Sequence, residues 1–486
     1  RQMEKLGWRG EYGFYEAADY QHAWGDGTPR IVRSYMAHHQ GMALCAVCNA
    51  LTDDALAETF ARMPEARAVR LLTDEKPTPR VRLRARPVSP NQERRRPENR
   101  DERMARPEKR IVDAHLLGGA GATVLLTADG AAHYVRNGVM ATRFDGDLLN
   151  RRDAARTLLL RENTGEEVVL GAENLQYAPG GASAVCMVGP LRCELRLSVS
   201  PEDGAMLKQI SIRNESGRAE SVRLADCIPV ALGTPADQAA HPVFQNLFVE
   251  SAEPVPGALC FSRRRHAPGE RPPVLVHLVS RGEDVSFETD YERLSGRMDR
   301  VRWEMSGAAG MTLNPCSAIQ CTLTLAPGEE GNIHFAMGLT DDGEKLRWIE
   351  RNRAEDAPER AERLSAMQSR AMLGFLRLES GQYHLLDRAA ALLADPRLSA
   401  RAQRGEAGAC GRERLWALGL SGDYPLWVVA VRGRDELPRA REALRACEFY
   451  RSLGWKLDLV LLNDYGSDYA QPVRDALSDL TACSPM

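Results

Sequence analysis

Residues 193–225 read CELRLSVSPEDGAMLKQISIRNESGRAESVRLA. Apolar and polar residues alternate through 193–199 and again through 207–212, the period of a half-buried strand. Asn214-Glu215-Ser216-Gly217 is turn chemistry, and residues 222–225 resume a strand. Working outward, runs of the same kind continue from Ile111 to about Leu339 at roughly 8–12-residue spacing, with turn residues between them. Residues 318–325 and 331–339 read as a closing hairpin around Pro327-Gly328. No helical pattern alternates with these strands, so a large antiparallel sandwich over 111–340 is expected and a doubly wound parallel sheet is not.

The flanks differ in character. Residues 76–110 hold six prolines and a dense charge run, Glu93-Arg94-Arg95-Arg96 through Arg106-Pro107-Glu108-Lys109-Arg110. With few apolar residues to bury, this reads as a solvated linker, and its interleaved acids argue against nucleic acid. Residues 341–400 read as a helical connector with Trp348, Ile349, Leu364 and Met367 as its apolar face. Residues 401–486 form a small α/β unit. In it PLWVVAV (425–431), an amphipathic helix over 436–453 and LDLVLL (457–462) make a βαβ pattern, closed by a helix over 471–483. Gly419-Leu420-Ser421-Gly422-Asp423 lacks a phosphate-loop signature and reads as a tight turn.

At the other end, residues 11–51 read EYGFYEAADYQHAWGDGTPRIVRSYMAHHQGMALCAVCNAL. An aromatic, acidic loop is followed by a helical pattern from about Ile31, with Val32, Tyr35, Met36, Leu44, Val47 and Leu51 at mostly three- and four-residue spacing. Asp53 and Asp54 are N-cap candidates for a second helix. Aromatic faces stack on pyranose rings and polar groups fix hydroxyls. Tyr12, Tyr15, Asp19, Tyr20, Trp24, His38, His39 and Gln40 are therefore the candidate sugar-binding residues around Glu16. An aromatic loop packed on its own helix is the competing reading.

YGFYEAADY (12–20) and VRSYMAHHQGMAL (32–44) resemble the closing segment of the glycoamylase-like domain of cyclic β-1,2-glucan synthases. This resemblance covers about the first 75 residues. It implies that 1–75 are the C-terminal helices of an (α/α) barrel that closes linear glucan into rings by retaining transglycosylation. Glu16 falls where that family carries a functional glutamate, which makes it the candidate catalytic residue. Retaining chemistry uses two carboxyl groups about 5 Å apart. Glu11 is too near Glu16 in sequence to be nominated as the second, which is expected upstream.

The middle stretches SVSPEDGAMLKQISIRNESGRAESVRLADCIPVAL (198–232) and AHPVFQNLFVES (240–251) are similar to the β-supersandwich of glycoside hydrolase family 94, formerly glycosyltransferase family 36. That resemblance implies packing on a catalytic barrel and homo-oligomerisation through the sandwich, without the catalytic acid. His241, Phe244 and Asn246 are read as packing and loop-anchoring residues. LWALGLSGDYPLWVVAV (415–431) and LDLVLLND (457–464) resemble the segment after the first sandwich of the glucan synthases.

The resulting expectation is a multidomain α+β fragment: barrel helices, a large antiparallel supersandwich and a small C-terminal βαβ unit. Its partners are a β-glucan oligosaccharide and the remaining domains of a parent transglycosylase, with no cofactor and no metal. A phosphorylase-related β-glucoside enzyme and a non-catalytic glucan-binding scaffold stay open as alternatives. With 64 basic and 67 acidic residues the formal charge is −3, which gives no reason to expect nucleic acid or an anionic membrane as a partner. No run of about 18 apolar residues is present. The eleven scattered cysteines fit reduced thiols in a cytoplasmic setting, with the parent at the inner membrane through segments outside this chain. Cys45 and Cys48 form a CxxC without a second pair, so they are read as small hydrophobes on a buried helix face rather than zinc ligands. The chain opens at Arg1 in mid-motif without a signal peptide, so a piece of a longer polypeptide is expected.

Overall fold

The computed structural model describes residues 2–19, 28–62, 114–144, 154–172, 174–265, 269–295, 301–378, 380–394, 413–466 and 471–482. The chain divides into two compact units, residues 1–104 and 105–486. The linker expected over 76–110 lies outside the described residues.

In the first unit, helix α1 (Gln2–Lys5) leads into a hairpin of β1 (Arg9–Gly10) and β2 (Gly13–Phe14). Strand β3 (Ala17–Asp19) then pairs antiparallel with β4 (Arg30–Val32), before helices α2 (Ala37–Leu51) and α3 (Ala55–Phe60). The helix expected from Ile31 therefore begins six residues later, at Ala37. Ile31 and Val32 are β-branched and sit opposite Ala18 and Ala17 in the ladder, where their stiff χ1 is favoured. Nor is α3 capped by an aspartate side chain. Asn49 Oδ1 accepts the N–H groups of Leu56 (3.0 Å) and Ala57 (3.3 Å), while Asp54 turns the chain at φ +62°. Neither α2 nor α3 buries a residue, and Leu51 is 80% exposed. The buried-face reading of the CxxC is thereby corrected: Cys45 is exposed and Cys48 half-buried, both as free thiols.

The second unit is built on antiparallel sheets. Strands β5 (Ala114–Gly119), β6 (Ala122–Thr127), β7 (Ala132–Arg136) and β8 (Val139–Met140) form a meander. One sandwich layer has the order β10-β9-β15-β20-β19, from β9 (Arg156–Arg161), β10 (Glu166–Val169), β15 (Glu220–Pro229), β19 (Glu283–Asp290) and β20 (Pro315–Leu325). The other has the order β11-β12-β13-β14-β21-β18-β17-β16. Its members are β11 (Gln176–Ala178), β12 (Gly181–Val188), β13 (Leu191–Val199), β14 (Met206–Asn214), β16 (Val249–Val255), β17 (Ala258–Arg263), β18 (Val274–Val279) and β21 (Glu330–Thr340). Inward residues of both layers and of the meander share one core, including Leu195, Ile210, Leu224, Ile319 and Phe335.

Two turns are crossings between layers, the second of them where a hairpin was expected. β14 and β15 lie in different sheets, and so do β20 and β21. Both turns are tied by Asn214, whose Nδ2 donates to the carbonyls of Arg218 (2.7 Å), Leu325 (3.0 Å) and Ala326 (3.2 Å). One buried amide thus closes both corners, and period-two patterning alone does not distinguish a corner from a hairpin.

Helix α4 (Pro235–Ala240) starts with a capping box between Thr234 and Asp237, and α5 (Pro242–Asn246) follows it. Asn246 Nδ2 anchors the Leu313 carbonyl at 3.2 Å, whereas His241 and Phe244 are exposed. A short α6 (Tyr291–Leu294) follows β19. Helices α7 (Lys345–Arg353) and α8 (Ala357–Phe375) cover part of the outer face of the eight-stranded layer. Trp348 and Ile349 pack there as expected. On α8, however, Ala357, Ala361, Ser365 and Ser369 are buried while Met367 is exposed, because small residues let the helix approach the sheet closely. Gly338 serves the same end: a Cβ there would fall 2.8 Å from Trp348 Cζ2.

Helices α9 (Ser380–Ala394) and α11 (Leu437–Ser452) share a second core with β5, centred on Tyr383, Phe449 and Tyr450. Between them α10 (Glu413–Trp416) precedes the turn at Gly419 and Gly422, where Trp416 Nε1 donates to the Ser421 carbonyl at 3.2 Å. Strand β22 (Leu426–Val431) pairs in parallel with β23 (Asp458–Asn463), with α11 between them in sequence, and α12 (Pro472–Ala482) packs beneath.

Candidate functional site

The first unit gathers most of its described chemistry around one carboxylate. Glu16 sits at the start of β3, held by its own N–H to the Ser34 carbonyl at 3.1 Å. Its Oε2 accepts the Met36 N–H at 3.3 Å, and Met36 is the N-cap of α2. A carboxylate there meets the positive end of the helix. Its Oε1 pairs with Nδ1 of His39, which is one turn into α2. The Glu16 side chain keeps 10% of its surface exposed and that of His39 keeps 47%, so the pair is open to solvent on the His39 side. The His39 hydrogen bond, aided by the Met36 N–H and the nearby imidazoles, holds the Glu16 carboxyl below its usual range against the opposing effect of burial. A carboxylate held low in this way favours its ionised form, the form a nucleophile or base requires.

The aromatic side is a tyrosine cluster. The Tyr35 ring lies 5.3 Å from that of Tyr15 and 5.8 Å from that of Tyr12, the latter edge-on at 82°. Tyr12 N–H also points to the Tyr35 hydroxyl at 3.4 Å. Gly10 makes the cluster fit, because a Cβ at that position would collide with the Tyr35 hydroxyl and the end of the Tyr15 ring. Tyr12 remains 75% exposed, an open aromatic face.

Of the residues expected from sequence, Glu16, Tyr12, Tyr15, His38 and His39 come together, with the two imidazole centroids 4.0 Å apart. Asp19 is on β3 opposite Arg30, and Gln40 is exposed on the first turn of α2. Tyr20 and Trp24 lie outside the described residues. Tyr35 is the member that sequence reasoning missed as a site residue, because it was counted into the helical pattern. Among the described residues no group of three or more His, Cys, Asp or Glu is placed to hold a metal. No helix among them is long and apolar enough to cross a membrane.

Residues 171–365, within the sandwich, match the family model of the glycosyl hydrolase 94 supersandwich domain. Over 98% of its length the chain is 27% identical to the cyclic beta-(1,2)-glucan synthase NdvB of Rhizobium meliloti strain 1021. It spans 18% of the length of that relative. Among solved structures, a bacterial glucoamylase complexed with acarbose is similar over 58% of this chain and 42% of its own, at 9% identity and a TM-score of 0.35. A galactose mutarotase-like protein of Lactobacillus casei ATCC 334 is similar over 47% of this chain and 100% of its own, at 8% identity and a TM-score of 0.29.

Proposed function

We propose that this chain is part of a cyclic β-1,2-glucan synthase, in which Glu16 acts as a catalytic carboxylate in retaining transglycosylation of a β-glucan chain. The observation that carries the reading is the ionised Glu16 carboxylate at the N-terminus of α2, gripped by His39 and the Met36 N–H beside an exposed tyrosine. In this role Glu16 works unprotonated, and Tyr12 and Tyr15 offer ring faces to glucose units while His38, His39 and Gln40 meet hydroxyls. The second carboxylate comes from the remaining domains of the parent. Support for those domains is one apolar face of α2, where Leu44, Val47 and Leu51, at i, i+3 and i+7, are all exposed. A soluble helix keeps such a stripe only where something else packs on it.

The test is Glu16→Gln in the intact parent, with products of linear β-1,2-glucan resolved by mass. Cyclic product should vanish while the thermal unfolding midpoint is kept; undiminished cyclic product refutes the role. The sandwich match favours one second reading, a phosphorylase-related enzyme on β-glucosides. It requires phosphate-dependent release of glucose 1-phosphate by the parent, unaffected by Glu16→Gln.

A further inference from the structure

The outer face of the eight-stranded layer is only partly covered by α7 and α8. Beside them lies a groove of about 420 Å³, within the roughly 300–1,000 Å³ of small-molecule sites. Strand register builds its floor in two rungs: Glu194, Ser211 and Asn332 lie abreast across β13, β14 and β21, and so do Arg196, Gln209 and His334. These are the outward positions of strands whose inward residues, Leu195, Ile210 and Ile333, fill the core. Arg353, at the end of α7, lines the wall.

Much of the lining is already satisfied internally. Glu194 pairs with Arg196 at 2.7 Å, and the Ser211 hydroxyl donates to Glu330 at 2.7 Å. His334 donates from Nε2 to the Asn352 carbonyl at 2.9 Å. Two buried polar atoms of the lining are without a partner among the described residues: Gln209 Oε1, an acceptor, and Arg353 Nε, a donor. Arg353 is meanwhile fixed through Nη2 to the Pro256 carbonyl at 2.8 Å. A buried polar atom left unmet costs about 1–3 kcal/mol, so both are set up to be answered by something that enters.

The chemistry of the lining selects what that is. A phosphate or carboxylate would answer the lone donor but not the lone acceptor, and an ammonium would do the reverse. Four glutamates against three arginines leave no net positive field for an anion. The one aliphatic residue of the lining, Ile333, turns its side chain into the core, which gives an apolar ligand nothing to displace water for. Hydroxyl groups both donate and accept, and a chain of vicinal hydroxyls repeats that pattern along the rungs. We propose that this groove is a second glycan site, an accessory surface that holds a neutral saccharide chain. The polyhydroxylated class follows from the lining alone; the choice of β-1,2-glucan rests on the function proposed above.

Isothermal titration of the 486-residue chain with linear β-1,2-glucan oligosaccharides tests this. Saturable binding is expected, weakened at least tenfold by Gln209→Ala/Asn332→Ala with the unfolding midpoint unchanged. Should that double variant unfold, Arg353→Lys serves instead, since it keeps the charge but removes the Nε–H, and it should weaken binding several-fold. Binding that survives these variants but is lost in Glu16→Gln overturns the groove and leaves the Glu16 reading intact. Absence of saturable binding, or binding of inorganic phosphate in place of glucan, also overturns it.

Discussion

Lys208→Met probes a charged cluster at the centre of the sandwich. Lys208 Nζ donates to Asp226 Oδ1 at 2.7 Å, and the Thr157 hydroxyl donates to the same oxygen at 2.6 Å. His277 Nε2 stands 3.2 Å from Oδ2, and its Nδ1 is 2.8 Å from the Ser317 hydroxyl. All five residues are buried. Lys208 and His277 come from the eight-stranded layer, and Thr157, Asp226 and Ser317 from the five-stranded one, so the cluster ties the layers together. Removing the ammonium leaves a buried carboxylate with one hydroxyl donor and an imidazole. Breaking one side of a buried ion pair costs about 3–5 kcal/mol. At about 2–4 °C per kcal/mol, the unfolding midpoint should fall by roughly 6–20 °C. Asp226→Leu alone should cost a similar amount, since it strands the ammonium. The double variant Lys208→Met/Asp226→Leu removes both charges and should lose far less than the sum, as apolar replacements of buried pairs do. Urea and thermal unfolding of the four proteins, followed by tryptophan fluorescence, measure the cycle. Single variants within about 1 kcal/mol of wild type, or an additive double variant, would refute the reasoning.

Acid should destabilise the sandwich in two stages. Burial alone would raise the Asp226 carboxyl, but Lys208 and His277 outweigh it and hold it well below the usual range; burial lowers His277. Both groups bind fewer protons folded than unfolded, so stability is full above the unfolded histidine value of about 6.5. It declines below that, and again below about 4 as unfolded aspartate protonates, which urea midpoints across that range would record. His39→Ala should raise the Glu16 carboxyl toward its ordinary value, visible as a shifted side-chain titration by carbon NMR, because the His39 hydrogen bond is the largest influence lowering it. Asn214→Ala strips a donor from three corner carbonyls and should cost about 1–3 kcal/mol by urea unfolding. Gly338→Ala drives a methyl group into the buried Trp348 ring and should cost about 1–3 kcal/mol, with a change in tryptophan emission.

The period-two pattern made the strands of the sandwich legible, because each strand has one wet or helix-covered face and one face in the shared core. It did not say which layer a strand joins. β20 to β21 reads as a hairpin in sequence, yet the chain crosses to the opposite sheet at a corner tied by the buried amide of Asn214, which periodicity does not show. The start of α2 was misplaced because Ile31 and Val32 satisfy a helical spacing by chance, while their ladder with Ala18 and Ala17 depends on a segment thirteen to fifteen residues earlier. The Glu16 site was legible as a set of residue types, but Tyr35 was not. Its role arises only once the extended run before Ala37 turns its ring toward Tyr12 and Tyr15.

The buried cluster is the more instructive omission, since its signal was present. In β14, Lys208 shares the inward phase with Met206, Ile210 and Ile212; in β15, Asp226 shares it with Val222, Leu224 and Ile228. His277 in β18 and Ser317 in β20 stand in the same inward phase as Leu275 and Ile319. Polar residues in the apolar phase of several strands, one of each charge among them, predict a buried pair between those strands, because neither charge is tolerated there alone. The same phase argument runs outward to the groove. Gln209 and Ser211 occupy the opposite face of β14 from Lys208, where a helix could have covered them with apolar contacts as it covers Leu207. One strand thus carries a structural charge on its inner face and an unmet amide on its outer face. The inner is closed by partners from the facing sheet, and the outer is left for a ligand to close.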